Sequence, residues 1–289
     1  VKVLAVHSKS LENRSLSFLS DFLSHSLGLG FEIWVSRSVQ ELLGGLPVNY
    51  QVFDRNNFPS QADLAISIGG DGTLLDTVTY VKDSGVPILG INTGRLGFLS
   101  TVRKEDYRRA LQDIASGKWM TEERMLLGLE SSYDLFDGLN FALNDFTIFK
   151  QHTSSMLIVH TYVDGTLLNS YWADGLIVST PTGSTGYSLS AGGPIVLPGA
   201  GVFVISPISP HNLNSRPMVI NDLRSLRFEV ASRSQNFLIS LDSRSQIVEL
   251  GTVLTIKKCR FSIKLAHLEA NTFFSALKSK LNWGYDVRN

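Results

Sequence analysis

A single cysteine, Cys259, stands in 289 residues. One thiol excludes an internal disulfide framework and a metal site built from several cysteines, and it suits a reducing, cytoplasmic compartment. Lys257, Lys258 and Arg260 surround it, yet it reads as a structural thiol, since cysteines are commonly buried. A charge imbalance is missing too. Twenty-six Lys and Arg cancel 26 Asp and Glu, so bulk electrostatics gives no reason to expect nucleic acid or an anionic membrane as partner. No long hydrophobic run is present. The segment from Gly175 to Ser215 contains no Asp, Glu, Lys or Arg, but Pro181, Pro194, Pro198, Pro207 and Pro210 interrupt it. It falls well short of the roughly 20 continuous apolar residues of a membrane helix, and reads as loops and strands packed inside a soluble protein. Val1–Ser8 lacks the apolar core and cleavage site of a signal peptide.

Several familiar templates are absent as well. There is no Gly-x-x-x-x-Gly-Lys-Ser/Thr and no His-Glu-x-x-His; Gly28-Leu29-Gly30 lacks the third glycine of the dinucleotide fingerprint, and Gly90 to Gly97 has the wrong spacing. The six histidines are scattered, and His152, His160 and His211 read as surface or hydrogen-bonding residues. No metal-ligating set of side chains is apparent.

What is there alternates between strand and helix at first. Strands are expected over Val1–Val6, Phe31–Val35, Leu64–Ile68 and Val86–Ile91. Helices are expected where Leu16, Leu19, Leu23 and Leu27 recur and over Lys104–Ser116. This is the pattern of a parallel α/β sheet, whose ligands lie beyond the carboxyl ends of the strands. After Trp119 the texture changes to short strands: Leu126–Glu130, Phe141–Phe149, Met156–Val163, Leu167–Tyr171, Leu176–Thr180, Val202–Ile205, Leu226–Val230, Phe237–Leu241, Val253–Ile256 and Phe261–Leu265. Asp164-Gly165 between two of them is a hairpin signal. Such spacing implies a β-sandwich. Phe273, Phe274, Leu277 and Leu281 return to helical spacing. The expected division is an α/β domain over residues 1–118, an all-β sandwich domain over 119–268, and a segment 269–289 whose helix returns to the first domain.

Three motifs carry chemistry. In the first, the buried-strand pattern Leu64–Ile68 stops in Gly69-Gly70-Asp71-Gly72-Thr73, with Thr73 placed to cap a following helix. A glycine turn between strand and helix brings backbone N–H groups and the helix N-terminus close to an anion. A carboxylate beside a phosphate is repelled unless a metal bridges the two or the carboxylate handles a proton or hydroxyl, so Asp71 points to phosphoryl transfer; the plainer alternative is a tight turn with a capping Asp. The second motif is Asn144-Asp145, an amide and a carboxylate able to fix a ribose or amide group by paired hydrogen bonds, or else a strand-terminal turn. The third runs from Asp174 through Thr180-Pro181-Thr182-Gly183-Ser184-Thr185-Gly186-Tyr187-Ser188 to Gly193. Eight of the chain's 24 glycines lie between Gly165 and Gly201, so backbone access is a requirement there. Asp174 is placed to bind an amide and Tyr187 to stack on a base.

With these segments, and with Asn92–Leu99 and Asp242-Ser243 to Gln246, the chain resembles the NAD kinase family over nearly its full length. The first motif is shared with diacylglycerol-type lipid kinases and 6-phosphofructokinases; the third is far more particular to NAD kinases. The resemblance implies transfer of the γ-phosphoryl group of ATP to the 2′-hydroxyl of the adenosine ribose of NAD, a β-sandwich that binds the dinucleotide, Mg²⁺ carried with ATP, and a homodimer or homotetramer. It implies Asp71 as catalytic proton acceptor and Gly72 in the nucleotide site. Gly69, Gly70, Thr73, Asn92, Thr93 and Gly94 would join Gly72 around the phosphate donor. Asn144, Asp145, Asp174, Thr185, Gly186, Tyr187, Ser188, Leu189, Ser190 and Gln246 would contact the dinucleotide. Many members carry a basic residue two positions before the Asp matching Asp174; here it is Trp172, so a charge contact is replaced by stacking or lost. Polyphosphate in place of ATP stays open. Of the rivals, a lipid kinase calls for an apolar acceptor groove and membrane attraction, against neutral charge and a hydroxyl-rich loop. A non-catalytic dinucleotide sensor would lack the acid in the glycine turn.

Overall fold

The computed structural model describes residues 1–9, 16–44, 49–94, 97–151, 156–268 and 273–281. His152, Arg95 and Leu96 lie outside the described residues. The chain divides into two compact units, Val1–Glu123 with Ile263–Asn289, and Arg124–Ser262.

The first unit contains β1 (Val3–His7), α1 (Leu16–Gly28), β2 (Glu32–Ser36), α2 (Arg37–Leu43), β3 (Gln51–Phe53), β4 (Leu64–Ile68), α3 (Asp71–Val81), β5 (Ile88–Asn92), β6 (Val102–Arg103) and α4 (Tyr107–Ala115). Its strands pair in the order β3-β2-β1-β4-β5, all parallel, with β6 also on β5. All five residues of β4 are buried, as a strand covered on both faces requires. Leu4, Val6, Ile33, Val35, Ile66 and Ile91 meet Leu19, Phe22 and Leu23 of α1, Val39 of α2, and Leu111 and Ile114 of α4 in one core.

The second unit takes β7 (Met120–Ser131) from Arg124 onward, then β8 (Phe141–Ala142), β9 (Asp145–Phe149), β10 (Leu157–Val163), β11 (Thr166–Ala173), β12 (Gly175–Ser179), α5 (Tyr187–Ser190), β13 (Val202–Ile208), β14 (Met218–Asn221), β15 (Leu226–Ser232), β16 (Asn236–Leu241), β17 (Arg244–Glu249) and most of β18 (Leu254–His267). One antiparallel layer runs β11-β10-β15-β18, the other β14-β13-β12-β9-β16-β17. Phe146, Ile148, Val178, Phe203 and Ile239 of the second layer pack on Val159, Phe228, Leu254 and Ile256 of the first. The end of β18 pairs in parallel with β5 through Leu265 and Ile88, and α6 (Phe273–Leu281) also belongs to the first unit. The architecture is therefore the expected one: an α/β unit on a parallel sheet, an antiparallel sandwich, and a final helix in the first unit.

Several local expectations are corrected. Thr73 does not cap α3: the helix starts at Asp71 with Gly70 as its N-cap. Thr73 instead fills the space beside Gly69, where a Cβ would sit 2.2 Å from its Oγ1. Lys104–Asp106 form a 3₁₀ turn before α4. Phe141–Phe149 is split at Leu143-Asn144. Val253–Ile256 and Phe261–Leu265 are one strand, because the basic run between them is accommodated on β18, with Lys257 on Glu130 and Lys258 on Asp222. Thr182–Thr185 and Tyr187–Ser190 coil into helical turns. The Asp164-Gly165 hairpin is present, both residues having positive φ as a two-residue type I′ connection demands.

Candidate active site

In the first unit the glycine turn follows β4, whose apolar run ends because the chain must leave the sheet there. Gly69 N–H donates to the Ile91 carbonyl at 2.9 Å, tying the turn to the end of β5. Gly70 and Gly72 are exposed, and a Cβ at either would meet open space. The Thr73 and Leu74 N–H groups both reach the Gly70 carbonyl, at 3.0 and 3.2 Å, which leaves the Asp71 and Gly72 N–H groups at the start of α3, where the helix dipole favours an anion. Asn92 closes β5, and its Oδ1 accepts the Gly94 N–H at 2.7 Å, with Thr93 between. Gly69, Gly70, Asp71, Gly72 and Thr73 are therefore gathered at adjacent strand ends with Asn92, Thr93 and Gly94.

The Asp71 carboxylate is held from the opposite side. Oδ2 accepts the Phe98 N–H at 2.8 Å; Oδ1 accepts those of Leu99 at 3.2 Å and Ser100 at 2.9 Å. Gly97 permits the approach, since a Cβ there would lie 1.7 Å from Oδ1. A carboxylate has about four acceptor positions; three are taken, and one remains on Oδ2.

In the second unit Asn144 lies in the break between β8 and β9, and Asp145 opens β9. Asp242, in the hairpin between β16 and β17, makes that break: its carboxylate accepts N–H groups from Leu143 at 2.9 Å, Asn144 at 2.8 Å and Asp145 at 3.2 Å. Two carboxyl groups in one enclosed place cannot both ionise cheaply. Burial and then the neighbouring Asp242 push Asp145 up to about 7, and burial raises Asp242. Asn144 presents a buried Oδ1 with no hydrogen-bond partner. Its carbonyl packs on Gly183, where a Cβ would sit 2.1 Å from it, and accepts the Thr180 N–H at 2.9 Å. Gly186 faces the pair, its Cβ position 3.7 Å from Asn144 Nδ2 and 3.9 Å from Asp145 Oδ2. The loop of Thr185, Gly186 and exposed Tyr187 is thereby brought to Asn144 and Asp145.

Other residues are placed differently. Ser188 is buried with its hydroxyl 3.0 Å from that of Ser206, while Leu189 is partly covered and Ser190 exposed. Gln246 accepts the Phe136 N–H at 2.8 Å. Asp174 precedes β12, whereas Asp145 pairs with Ser179 at its other end, about 16 Å away for five residues of strand. Asp174 and Trp172, which is 51% exposed, are not gathered with Asn144 and Asp145 in this unit. Asp174 is paired instead with Lys150 at 2.6 Å. Sequence reasoning missed Lys150, the amides of Phe98 to Ser100, and the anchoring part of Asp242. Only the last left a signal, an Asp between two strand patterns. His160 bonds Ser170 at 2.8 Å, in keeping with a hydrogen-bonding residue.

Family models described as the ATP-NAD kinase N-terminal domain and the ATP-NAD kinase C-terminal domain match residues 8–119 and 143–268. An NAD kinase of Cytophaga hutchinsonii is 45% identical, covering 99% of this chain and 100% of its own. An NAD kinase of Flavobacterium johnsoniae is 42% identical with 99% of both chains covered. Among solved structures, yeast NADH kinase complexed with NADH shares the fold at a TM-score of 0.85 and 23% identity, over 100% of this chain and 89% of that one. An NAD kinase from Archaeoglobus fulgidus in complex with ATP aligns at a TM-score of 0.74 and 25% identity, over 98% and 99%. The glycine turn with its restrained carboxylate and the paired amide and acid thus sit in a chain that belongs to the ATP-NAD kinase family.

Proposed function

We propose that this NAD kinase works around the carboxylate of Asp71. The activity is transfer of the γ-phosphoryl group of ATP to the 2′-hydroxyl of the adenosine ribose of NAD, producing NADP. The observation that supports Asp71 is its restraint by three successive amides, which leaves one acceptor position on Oδ2 for a hydroxyl. A carboxylate is too weak a base to ionise a ribose hydroxyl in advance. Its part is to align the hydroxyl and take the proton late, as the oxygen–phosphorus bond forms and the bond to the leaving ADP oxygen breaks.

The turn of Gly69, Gly70, Gly72 and Thr73, exposed at Gly70 and Gly72, is assigned with Asn92, Thr93 and Gly94 to the donor phosphates. Mg²⁺ would come with ATP and supply charge neutralisation at the phosphates, since it prefers phosphate oxygens and water to an all-protein cage. Asn144, through its open Oδ1, and Asp145 are assigned to ribose or amide groups of NAD, with Thr185, Gly186, Tyr187 and the 188–190 backbone beside them. Asp174, Trp172 and Gln246 stand as further contacts. A homodimer or homotetramer and a cytoplasmic place complete the reading. Met218 and Val219, exposed on the edge strand β14, support self-association.

The test is incubation with Mg²⁺ and either ATP or polyphosphate, offered NAD or a diacylglycerol, with identification of the phosphorylated product. NADP alone is expected. A phosphorylated lipid would overturn the acceptor assignment, and light scattering reads the oligomer.

A further inference from the structure

The strand order β3-β2-β1-β4-β5 reverses direction between β1 and β4, the switch point of a doubly wound sheet. At that point the row at the end of β1 carries polar side chains on its central strands. His7 of β1 is in register with Ser67 of β4, and Ser67 with Gly90 of β5. On the other side Val6 is in register with Val35, so His7 is flanked by Ser36. His7 is 1% exposed. Its Nε2 lies 3.0 Å from Asp76 Oδ2 on α3, and its Nδ1 2.9 Å from Ser36 Oγ. Ser36 Oγ is 2.9 Å from Ser38 Oγ, which donates to the Ser8 carbonyl at 2.7 Å. Arg55 closes the outer side, donating through Nη2 to Asp76 Oδ1 and through Nε to Thr79 Oγ1, each at 3.0 Å.

Elsewhere α3 packs with Leu74, Val78 and Val81, and apolar contacts would serve here too. A buried ion pair is weak evidence for stability, because desolvation offsets most of the attraction; its best attested use is to fix register. The register in question is that of the helix whose first residue is Asp71. Asp76 is anchored to β1 through His7. Asp71 is anchored through Ser100, whose backbone lies over Gly90, a Cβ there being 2.6 Å from Ser100 Cα. One row of the sheet therefore supports both polar attachments of the first two turns.

His7 links Asp76 of α3 to Ser36, Ser38 and the Ser8 carbonyl in one hydrogen-bonded chain. The charged and titratable groups around it are Asp76 and Tyr80 of α3, Arg55 after β3 and Lys9 after β1, with Glu41 and Asp54 beyond Tyr80. Burial acts to raise Asp76, but the hydrogen bond and charge of His7, with Arg55 and Lys9, hold it below its ordinary value.

We propose that His7 is the positioning residue of the phosphoryl-transfer site, setting through Asp76 the register of α3 on the sheet and so the place of the Asp71 carboxylate. This rests on the assignment of Asp71 as proton acceptor. Displacement of a reacting group by about 1 Å costs on the order of 10²-fold in rate. His7→Gln should therefore lower kcat about 10- to 100-fold while KM for NAD and for ATP stays within about threefold. The decisive readout is a double-mutant cycle. If His7 acts through Asp71, adding His7→Gln to Asp71→Asn lowers kcat no further, whereas a purely structural loss multiplies.

Because His7 is buried, Arg55→Met, at a side chain 44% exposed, is run through the same cycle with folding checked by circular dichroism, and a several-fold fall in kcat that vanishes in the Asp71→Asn background is expected. Parental kcat in both variants, losses that multiply with Asp71→Asn, or effects confined to KM would overturn the proposal. Full activity of Asp71→Asn itself would instead remove the assignment on which it rests.

Discussion

Asp71 and Asp145 are held in opposite ways, and the difference decides what each can do. Asp71 receives three amide hydrogens, so its charge is matched and its orientation fixed. Asp71→Asn sets an NH₂ group against at least one of those amides. Turnover should fall about 10²–10⁴-fold, with about 1–3 kcal/mol of stability lost to the unpaired donor, while calorimetry should find NAD binding little changed; near-parental turnover would reduce Asp71 to a turn residue. Asp145 faces the enclosed Asp242, and its proton is held up to about 7 against an ordinary 3.8. The folded chain therefore binds a proton that the unfolded chain has released between these values. The linked stability is present below 3.8 and is lost as pH rises towards about 7. Asp145→Asn removes that loss and should raise Tm at pH 8, by an equivalent on the order of a few kcal/mol, while raising KM for NAD more than KM for ATP. An unchanged Tm at pH 8 would show that burial and the neighbouring Asp242 do not hold the Asp145 proton.

At the scale of elements, close approach matters more than propensity. Gly97 lies where a Cβ would be 1.7 Å from Asp71 Oδ1, so Gly97→Ala must displace either the carboxylate or the 98–100 backbone. Its kcat should fall at least 10-fold with the secondary structure by circular dichroism intact; a fully active Gly97→Ala enzyme would mean that the three amides do not hold Asp71 during turnover. The final helix is the milder case. Its spacing puts Phe273, Phe274, Leu277 and Leu281 on one stripe, but Ala276 and Leu277 are the buried residues and Phe274 is 62% exposed. Removing residues after Ala270 should thus cost about 2–4 kcal/mol rather than the burial of four large side chains, and an unaltered melting temperature would place α6 outside the fold.

This helix also shows what a sequence can reveal. Periodicity marks that α6 exists and that β4 runs over Leu64–Ile68, because apolar spacing is a local property. It does not mark which side of a helix the rest of the chain covers. The strand break at Asn144 was hidden for the same reason: it is made by Asp242, about a hundred residues further on. His7 and Asp76, 69 positions apart, belong to that class too, whereas the glycine turn and the hydroxyl-rich segment are contiguous and could be read directly.

For the molecule as a whole, the reaction needs a source of cationic charge. Basic and acidic side chains balance at 26 each, so the chain offers no general excess to neutralise a triphosphate. Among the described residues no group of three or more His, Cys, Asp or Glu is gathered as an ion site, and the Asp71 carboxylate is already engaged by three amides. The reading proposed above has neutralisation arrive with the nucleotide, as Mg²⁺ on phosphate oxygens and water. A metal bound this way contributes to turnover and not to folding, since it stabilises the native state only to the extent that it binds there without ATP. EDTA should abolish NADP formation, excess Mg²⁺ should restore it, and the melting temperature of the nucleotide-free protein should move by less than about 1 °C in either condition, inside the roughly 2 °C that 1 kcal/mol produces in a chain of this size. A drop of many degrees on chelation without nucleotide would reveal a structural ion held by the protein itself, and the assignment of the metal to the donor would have to be abandoned.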